Sequence, residues 1–311
     1  MRILFWGTPE FAVTPLRAIA DEGHDVVGVV TQPDRPAGRG RGLATSAVKR
    51  EAIEMGVPVL QPERARGDEF MAQMKSLDPE LSVVVAYGQI LKPEVLELPP
   101  LGSINIHASL LPELRGAAPI QWAVARGYQT TGVTIMRMEA GLDSGPMIIK
   151  VEEEILADDS ASELAERLSA VGAEAVVEAL ALMESGQARE EVQDHSRATF
   201  APKIDRETAR IDWTLSADRV SLHIRAMDEV PGAWTPHGAR GAVKLFRPRA
   251  SGGSGEPGTV MAVGEDGVLV ACGEGAVLVR EVQPPGKRRM AAGEWVRGRG
   301  VSVDDRFGAE G

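Results

Sequence analysis

The sequence predicts a two-domain α/β protein, with a parallel sheet covered on both faces followed by a small β-barrel domain. Three observations carry that prediction. The chain has 311 residues, beyond the length at which a single core usually stops growing. Its first part alternates near-continuous apolar runs with segments of helical period, the pattern of strands buried on both faces between covering helices. Its last third changes texture, to short β-branched strands separated by glycine turns.

Arg2 to Trp6 reads as a short buried strand. Gly7-Thr8-Pro9-Glu10 then supplies a turn, an N-cap threonine, a proline at the first helical position and an early acid, so a helix is expected to about Glu22. Asp25 to Val30 and Leu81 to Ala86 are β-branched strand candidates, each preceded by a helical segment. Ser160-Ala161-Ser162-Glu163 has the form of a capping box, and Leu164, Leu168, Val171, Ala175 and Leu182 follow at helical spacing until Gly186. These signals place a first domain at residues 1–189. Residues 190–209 are polar, lack sustained periodicity and read as a linker. Residues 210–311 hold the hairpin Gly267 to Cys272 with Ala276 to Arg280, and a further strand opening at Pro257-Gly258-Thr259-Val260. Such a domain suits a small barrel, and an OB-like barrel suits a nucleic-acid partner. Ser251-Gly252-Gly253-Ser254-Gly255 is the only low-complexity segment.

Composition narrows the class. Hydrophobic residues make up 43% and charged residues 25% of the chain, which excludes a disordered or fibrous protein. Cys272 is the single cysteine, so no intrachain disulfide forms, and the five histidines show no metal-ligand spacing; no metal is expected. The apolar start is too short for a signal peptide and no later run spans a bilayer, so a cytoplasmic protein without a membrane partner is expected, and a monomer. The net charge of −11 counts against a nucleic-acid partner. Its distribution softens the objection: residues 1–189 hold 17 basic and 27 acidic side chains, residues 190–311 hold 17 and 18. Within the acidic part, Arg35, Arg39, Arg41, Lys49 and Arg50 form a basic island with no acid between Asp34 and Glu51.

The densest chemical signal is Gly102-Ser103-Ile104-Asn105-Ile106-His107-Ala108-Ser109-Leu110-Leu111-Pro112. In a strand, Ile104 and Ile106 share one face while Asn105 and His107 share the other, roughly 6.5 Å apart along the backbone. Parallel sheets bind ligands at the carboxyl ends of their strands. The following Leu110 to Ile120 is an apolar loop punctuated by prolines, fit to wall an aromatic ligand. Gly132 to Met138 reads as the next strand, and Gly141-Leu142-Asp143-Ser144-Gly145 follows it. Taken singly, an Asn-x-His pair is an ordinary satisfied pair and an Asp between glycines is ordinary turn chemistry; their succession is what points to a site.

The sequence resembles the methionyl-tRNA formyltransferases along essentially its whole length. The resemblance rests on Phe5-Trp6-Gly7-Thr8-Pro9-Glu10-Phe11, Asn105 to Pro112, Gly116-Ala117-Ala118-Pro119-Ile120-Gln121, Gly132 to Met136 and Gly141 to Gly145. It continues with Ala209-Arg210-Ile211-Asp212-Trp213 and Gln283-Pro284-Pro285-Gly286-Lys287. It implies a Rossmann-like formyltransferase domain followed by an OB-like, tRNA-binding barrel, with 10-formyltetrahydrofolate as formyl donor. It implies that Asn105, His107 and Asp143 form the catalytic triad. Ser109, Leu110, Leu111 and Pro112 take the place of the folate-contacting segment, and Ala86, Tyr87, Gly88, Gln89, Ile90 and Leu91 that of the backbone wall beside the pterin. The acceptor is expected to be initiator methionyl-tRNA, held by Arg35, Arg39, Arg41, Lys49 and Arg50 and by Lys287, Arg288 and Arg289.

The residue types suit that chemistry. A neutral amine attacks the formyl carbon, and Asn105 with a protonated His107 are the donors for the resulting oxyanion. Asp143 favours the charged imidazole and takes part in moving the amine's excess proton. Three other readings compete. A dinucleotide-binding oxidoreductase is disfavoured because Pro9 and Phe11 stand where its fingerprint wants glycine. A formyltransferase acting on a sugar-nucleotide amine or on glycinamide ribonucleotide uses the same triad and differs in the basic patches, which point to RNA. A non-catalytic RNA-binding protein fits poorly with three retained polar site residues. One departure from the family pattern stands out: Leu43-Ala44-Thr45-Ser46-Ala47-Val48-Lys49 lacks two prolines that the family commonly carries, so a freer loop is expected there.

Overall fold

The structure, a computed structural model, describes residues 1–37 and 42–308. It divides into two compact units. One comprises Met1–Pro119, Thr130–Glu154 and Ala165–Ala201; the other comprises Ile120–Gln129, Ile155–Leu164 and Pro202–Gly311. The division is interleaved, whereas the sequence reading placed continuous bounds at 189 and 210.

The first half of the chain runs β1 (Arg2–Gly7), α1 (Val13–Asp21), β2 (Asp25–Val30), a ribbon of β3 (Arg35–Ala37) and β4 (Gly42–Ala44), α2 (Ala47–Glu54), β5 (Val59–Leu60), α3 (Asp68–Leu77), β6 (Leu81–Val85), α4 (Pro93–Leu96) and β7 (Ser103–His107). After α5 (Pro119–Arg126) come β8 (Thr130–Arg137), β9 (Met147–Glu154) and the long α6 (Ala161–Glu184). The seven-stranded sheet has the order β5-β2-β1-β6-β7-β8-β9. Its first five strands are parallel, as the buried apolar runs predict. β8 alone reverses: it lies antiparallel to β7, and β9, antiparallel to β8, returns to the direction of the first five. The sheet is therefore mixed. Periodicity reports which face of a strand is buried and says nothing of its direction, so this reversal was invisible in the sequence.

Strand order turns back between β1 and β6, the position at which open α/β sheets leave a crevice at their carboxyl ends. Residues at that crevice behave differently from the local signal. Thr8 does not cap α1, which begins at Val13 after a short 3₁₀ turn. Its hydroxyl instead donates to the Tyr87 carbonyl at 3.0 Å, joining the ends of β1 and β6. Beneath them Trp6 packs edge-on against Phe70 and Tyr87, and its indole nitrogen donates to Ser82 Oγ at 3.1 Å. This core fixes the floor of the crevice, because fully buried aromatics bring large apolar area and leave few alternative packings.

In the second unit the capping box forms as expected: Ser160 N donates to Glu163 Oε2 at 2.9 Å and Glu163 N to Ser160 Oγ at 3.3 Å. Burial opposes the charged form of Glu163, yet the bonds from Ser160 and from Arg247 outweigh it and hold the carboxyl down to about 2. After α7 (Ala217–Ala226), the strands β10 (Trp234–Pro236), β11 (Ala242–Ser251), β12 (Val260–Gly264), β13 (Gly267–Ala271), β14 (Ala276–Gln283) and β15 (Met290–Ala291) build an antiparallel sheet, closed off in sequence by α8 (Ala292–Arg297). Its order is β10-β11-β14-β13-β12, with β15 beside β14. The β13–β14 hairpin pairs Ala271 with Ala276 across the predicted glycine turn. Among the described residues, no helix is long and apolar enough to cross a membrane.

Candidate active site

Asn105 and His107 sit on β7 with the expected alternation, 9% and 5% exposed, while Ile104 and Ile106 fill the opposite face. Asn105 lies opposite Val84 of β6, at the level where that strand ends. His107 extends one step further, past the end of its parallel neighbour. The two side chains differ in what they already bind. His107 Nε2 lies 3.0 Å from the Leu114 carbonyl, and since a carbonyl only accepts, that nitrogen carries a proton. The Asn105 carboxamide makes no hydrogen bond to another described residue. A nearly buried amide with both its hydrogens uncommitted is ready to donate to something that is not protein.

Asp143 reaches this place by a route the sequence did not announce. Because β8 is antiparallel, Arg137 at its end lies opposite Ile104, near the start of β7. The loop that follows must therefore double back along β7 to bring the carboxylate to His107. Asp143 Oδ2 ends 3.7 Å from His107 Nδ1, within charge-pairing distance and longer than a hydrogen bond. The same oxygen accepts from the Gly116 amide at 2.8 Å. Asp143 itself takes φ +45, a left-handed conformation that aspartate tolerates better than most residues. Of its flanking glycines, Gly145 is required by space, since a Cβ there would fall 2.1 Å from the Arg137 carbonyl, whereas one on Gly141 would meet the Ser144 hydroxyl, which can turn away.

The segment read as a linker supplies what the sequence reading missed. Ala201 N donates to the Arg115 carbonyl at 2.7 Å and Arg115 N to the Thr199 carbonyl at 2.9 Å, so residues 199–201 run alongside the Leu110 to Ile120 loop. Thr199 Oγ1 accepts from Leu114 N at 2.9 Å. Gln193 is only 3% exposed. Its carboxamide oxygen accepts from Arg115 Nε and Nη2, at 3.1 and 2.6 Å, and its nitrogen donates to the carbonyls of Asp143 and Gly145, at 2.9 and 2.7 Å. A single buried polar residue in a stretch without periodicity leaves no pattern in one sequence, so only the fold could reveal it.

The remaining expected residues divide by exposure. Ala86, Gly88 and Ile90 face outward, Ile90 at 89%, while Tyr87 and Leu91 belong to the Trp6 core. Burial pushes the Tyr87 phenol up to about 12. Gln89 lies between, donating to Gln32 Oε1 and to the Glu63 carbonyl. Ser109, Leu111 and Pro112 are buried and Leu110 partly so; the Ser109 hydroxyl donates to the Glu113 carbonyl at 2.6 Å, and Thr134 Oγ1 bridges Ser109 O and Leu111 N. Of the basic island, Arg39 and Arg41 lie outside the described residues. Arg35 is exposed, Lys49 is paired with Asp34 at 2.6 Å, and Arg50 lies 3.6 Å from Glu10. Lys287 and Arg288 are exposed. Arg289 is instead bound up in the second unit, 2.8 Å from Asp228 and 2.6 Å from Glu281, with its guanidinium over the Phe246 ring. Among the described residues no three potential metal ligands cluster.

A mixed sheet whose β7 carries Asn-x-His, facing an aspartate from the next hairpin and followed by an antiparallel β domain, defines a two-domain formyl transferase. The family models agree, with "Formyl transferase" matching residues 1–180 and "Formyl transferase, C-terminal domain" matching residues 203–300. A methionyl-tRNA formyltransferase of Symbiobacterium thermophilum is 49% identical over 312 residues, covering 99% of this chain and 95% of the relative. The chain belongs to the methionyl-tRNA formyltransferase family. More distant structures share the fold. HypX from Aquifex aeolicus, solved with tetrahydrofolic acid, has a TM-score of 0.65 at 19% identity, covering 98% of this chain, which spans about half (48%) of HypX. The sugar 3N-formyl transferase WlaRD has a TM-score of 0.66 at 17% identity, covering 93% of this chain and 99% of WlaRD.

Proposed function

We propose that the protein transfers the formyl group of 10-formyltetrahydrofolate to the free amino group of initiator methionyl-tRNA, giving N-formylmethionyl-tRNA. The observation that carries this reading is the convergence of Asn105, His107 and Asp143 with the Asn105 amide left unbonded. The amine attacks the formyl carbon, a new C–N bond forms and the carbonyl oxygen becomes an oxyanion. Asn105 Nδ2 donates to that oxygen. His107 is held by Leu114 through Nε2, so its Nδ1 edge is the one open to chemistry, and there a protonated ring donates to the oxyanion. Asp143, 3.7 Å from Nδ1, receives the proton that the attacking amine must lose. Collapse of the intermediate breaks the bond to N10 of the folate, and N10 leaves with the proton that Asp143 took from the amine. The exposed residues Ala86, Gly88 and Ile90, just past the end of β6, form the wall beside the pterin.

The sugar-nucleotide alternative has only a likeness of fold behind it, at 17% identity, against 49% for the tRNA-acting relative. The direct test supplies 10-formyltetrahydrofolate and compares charged initiator tRNA with amino sugars and free methionine. Formylation is expected on the tRNA alone; preferential formylation of a small amine would overturn the reading. For the RNA surface, the double substitution Lys287→Ala with Arg288→Ala is expected to weaken tRNA binding and to reduce its log–log salt slope by about 0.7 to 0.9 per lost phosphate contact. An unchanged slope assigns both side chains to solvated surface. Arg289→Ala is expected to act differently, lowering the melting temperature because it leaves the buried Asp228 carboxylate unpaired.

A further inference from the structure

Asp143 is delivered by a loop that doubles back over a strand, and no sheet ladder holds such a loop in place. Two of its carbonyls, at Asp143 and Gly145, are instead gripped by one carboxamide, that of Gln193. The other end of that carboxamide is fixed twice by Arg115. Arg115 lies between Leu114, whose carbonyl holds His107 Nε2, and Gly116, whose amide holds Asp143 Oδ2. The backbone that orients the histidine and the side chain that orients the aspartate loop thus meet at one hydrogen-bonded pair.

The chemistry demanded of residue 193 is narrow. It must accept two hydrogens from a guanidinium and donate two to carbonyls, which a carboxamide head does and a carboxylate, ammonium or hydroxyl does not. Arg115 is equally unusual. It is 6% exposed, and no carboxylate among the described residues pairs with it; its other side-chain partner is His195 Nδ1 at 3.0 Å. A buried guanidinium on neutral acceptors alone is costly to place. It belongs where its directional fork fixes a neighbour's geometry.

We propose that Gln193, locked by Arg115, is a positioning residue for formyl transfer, setting the Asp143 carboxylate against His107 and acting on the reaction only through Asp143. The proposal rests on the reading of Asn105, His107 and Asp143 as the reaction centre. Gln193→Glu is nearly isosteric and keeps the acceptor for Arg115 while losing both hydrogens; Gln193→Leu loses both functions. Each is expected to lower kcat by about a hundredfold, the size of loss that a misplacement of about 1 Å at a reacting group can cause, with KM for tRNA and for folate unchanged. In an Asp143→Asn background the same substitutions are expected to cost nothing more, because the group they position is already gone. A separate arm needs no activity: amide exchange at Gly116, whose N–H is held by Asp143, is expected to speed up in both variants by more than their loss of global stability accounts for. Losses that multiply with Asp143→Asn, or a rise in KM at constant kcat, would reduce Gln193 to a general structural residue and overturn the proposal. If the wild-type protein forms no formyl-tRNA, the reading of the site falls, and exchange at Gly116 still decides whether Gln193 holds the carboxylate. Unaltered exchange in both variants would sink the clamp itself.

Discussion

Replacing Asn105 by Ala is expected to lower turnover about a hundred- to a thousandfold, corresponding to roughly 2.7 to 4 kcal/mol of lost oxyanion stabilisation. The physical reason is in the amide's position. Asn105 is nearly buried on β7, and its carboxamide donates to no described residue, so its hydrogens are available to the oxygen that gains charge during the reaction. An interaction made mainly in the transition state leaves binding alone. KM for both substrates should therefore stay near wild type while kcat falls. The substitution opens space and breaks no bond within the protein, so the melting temperature should change little. Single-turnover formylation with excess enzyme separates the chemical step from product release. A variant that transfers formyl at near wild-type rate would remove Asn105 from the site.

The second large effect is expected of Asp143→Asn. The substitution keeps volume and an acceptor for the Gly116 amide, so the loop stays in place. It removes the negative charge 3.7 Å from His107 Nδ1. The attacking amine then loses the base proposed to take its proton, a role worth about 10² to 10⁴ in rate. The pH–rate profile distinguishes this from general damage. If the carboxylate takes part in the reaction, the profile of the variant differs in shape from that of the wild type. A profile of unchanged shape, scaled down, would mean that Asp143 only shapes the loop.

Local signals made much of this site legible. Alternation along Ser103 to His107 put Asn105 and His107 on one face, and that is where they lie. The capping box at Ser160 and the glycine-turn hairpin of β13 and β14 formed where the residues dictate, because both depend on contacts a few residues apart. Other features were misjudged for a common reason. Thr8 has the chemistry of an N-cap, yet the end of β6 offers its hydroxyl a carbonyl partner seventy-nine positions away. The reversal of β8 leaves apolar periodicity untouched. Arg289 reads as part of a basic run, and only the proximity of Asp228 and Glu281 shows its charge to be spent within the fold.

By itself the sequence determined the fold class and the family and singled out Asn105, His107 and Asp143, since these follow from residue type, period and short-range spacing. The tertiary structure decided what those side chains can do. It showed that Leu114 commits one nitrogen of His107, that Asn105 is uncommitted, and that Asp143 arrives along a doubled-back loop. It also showed that Gln193, in a stretch with no pattern, grips that loop. The reason is physical: a hydrogen bond is set by distance and direction between atoms, and for partners fifty residues apart neither quantity is written in the local chain.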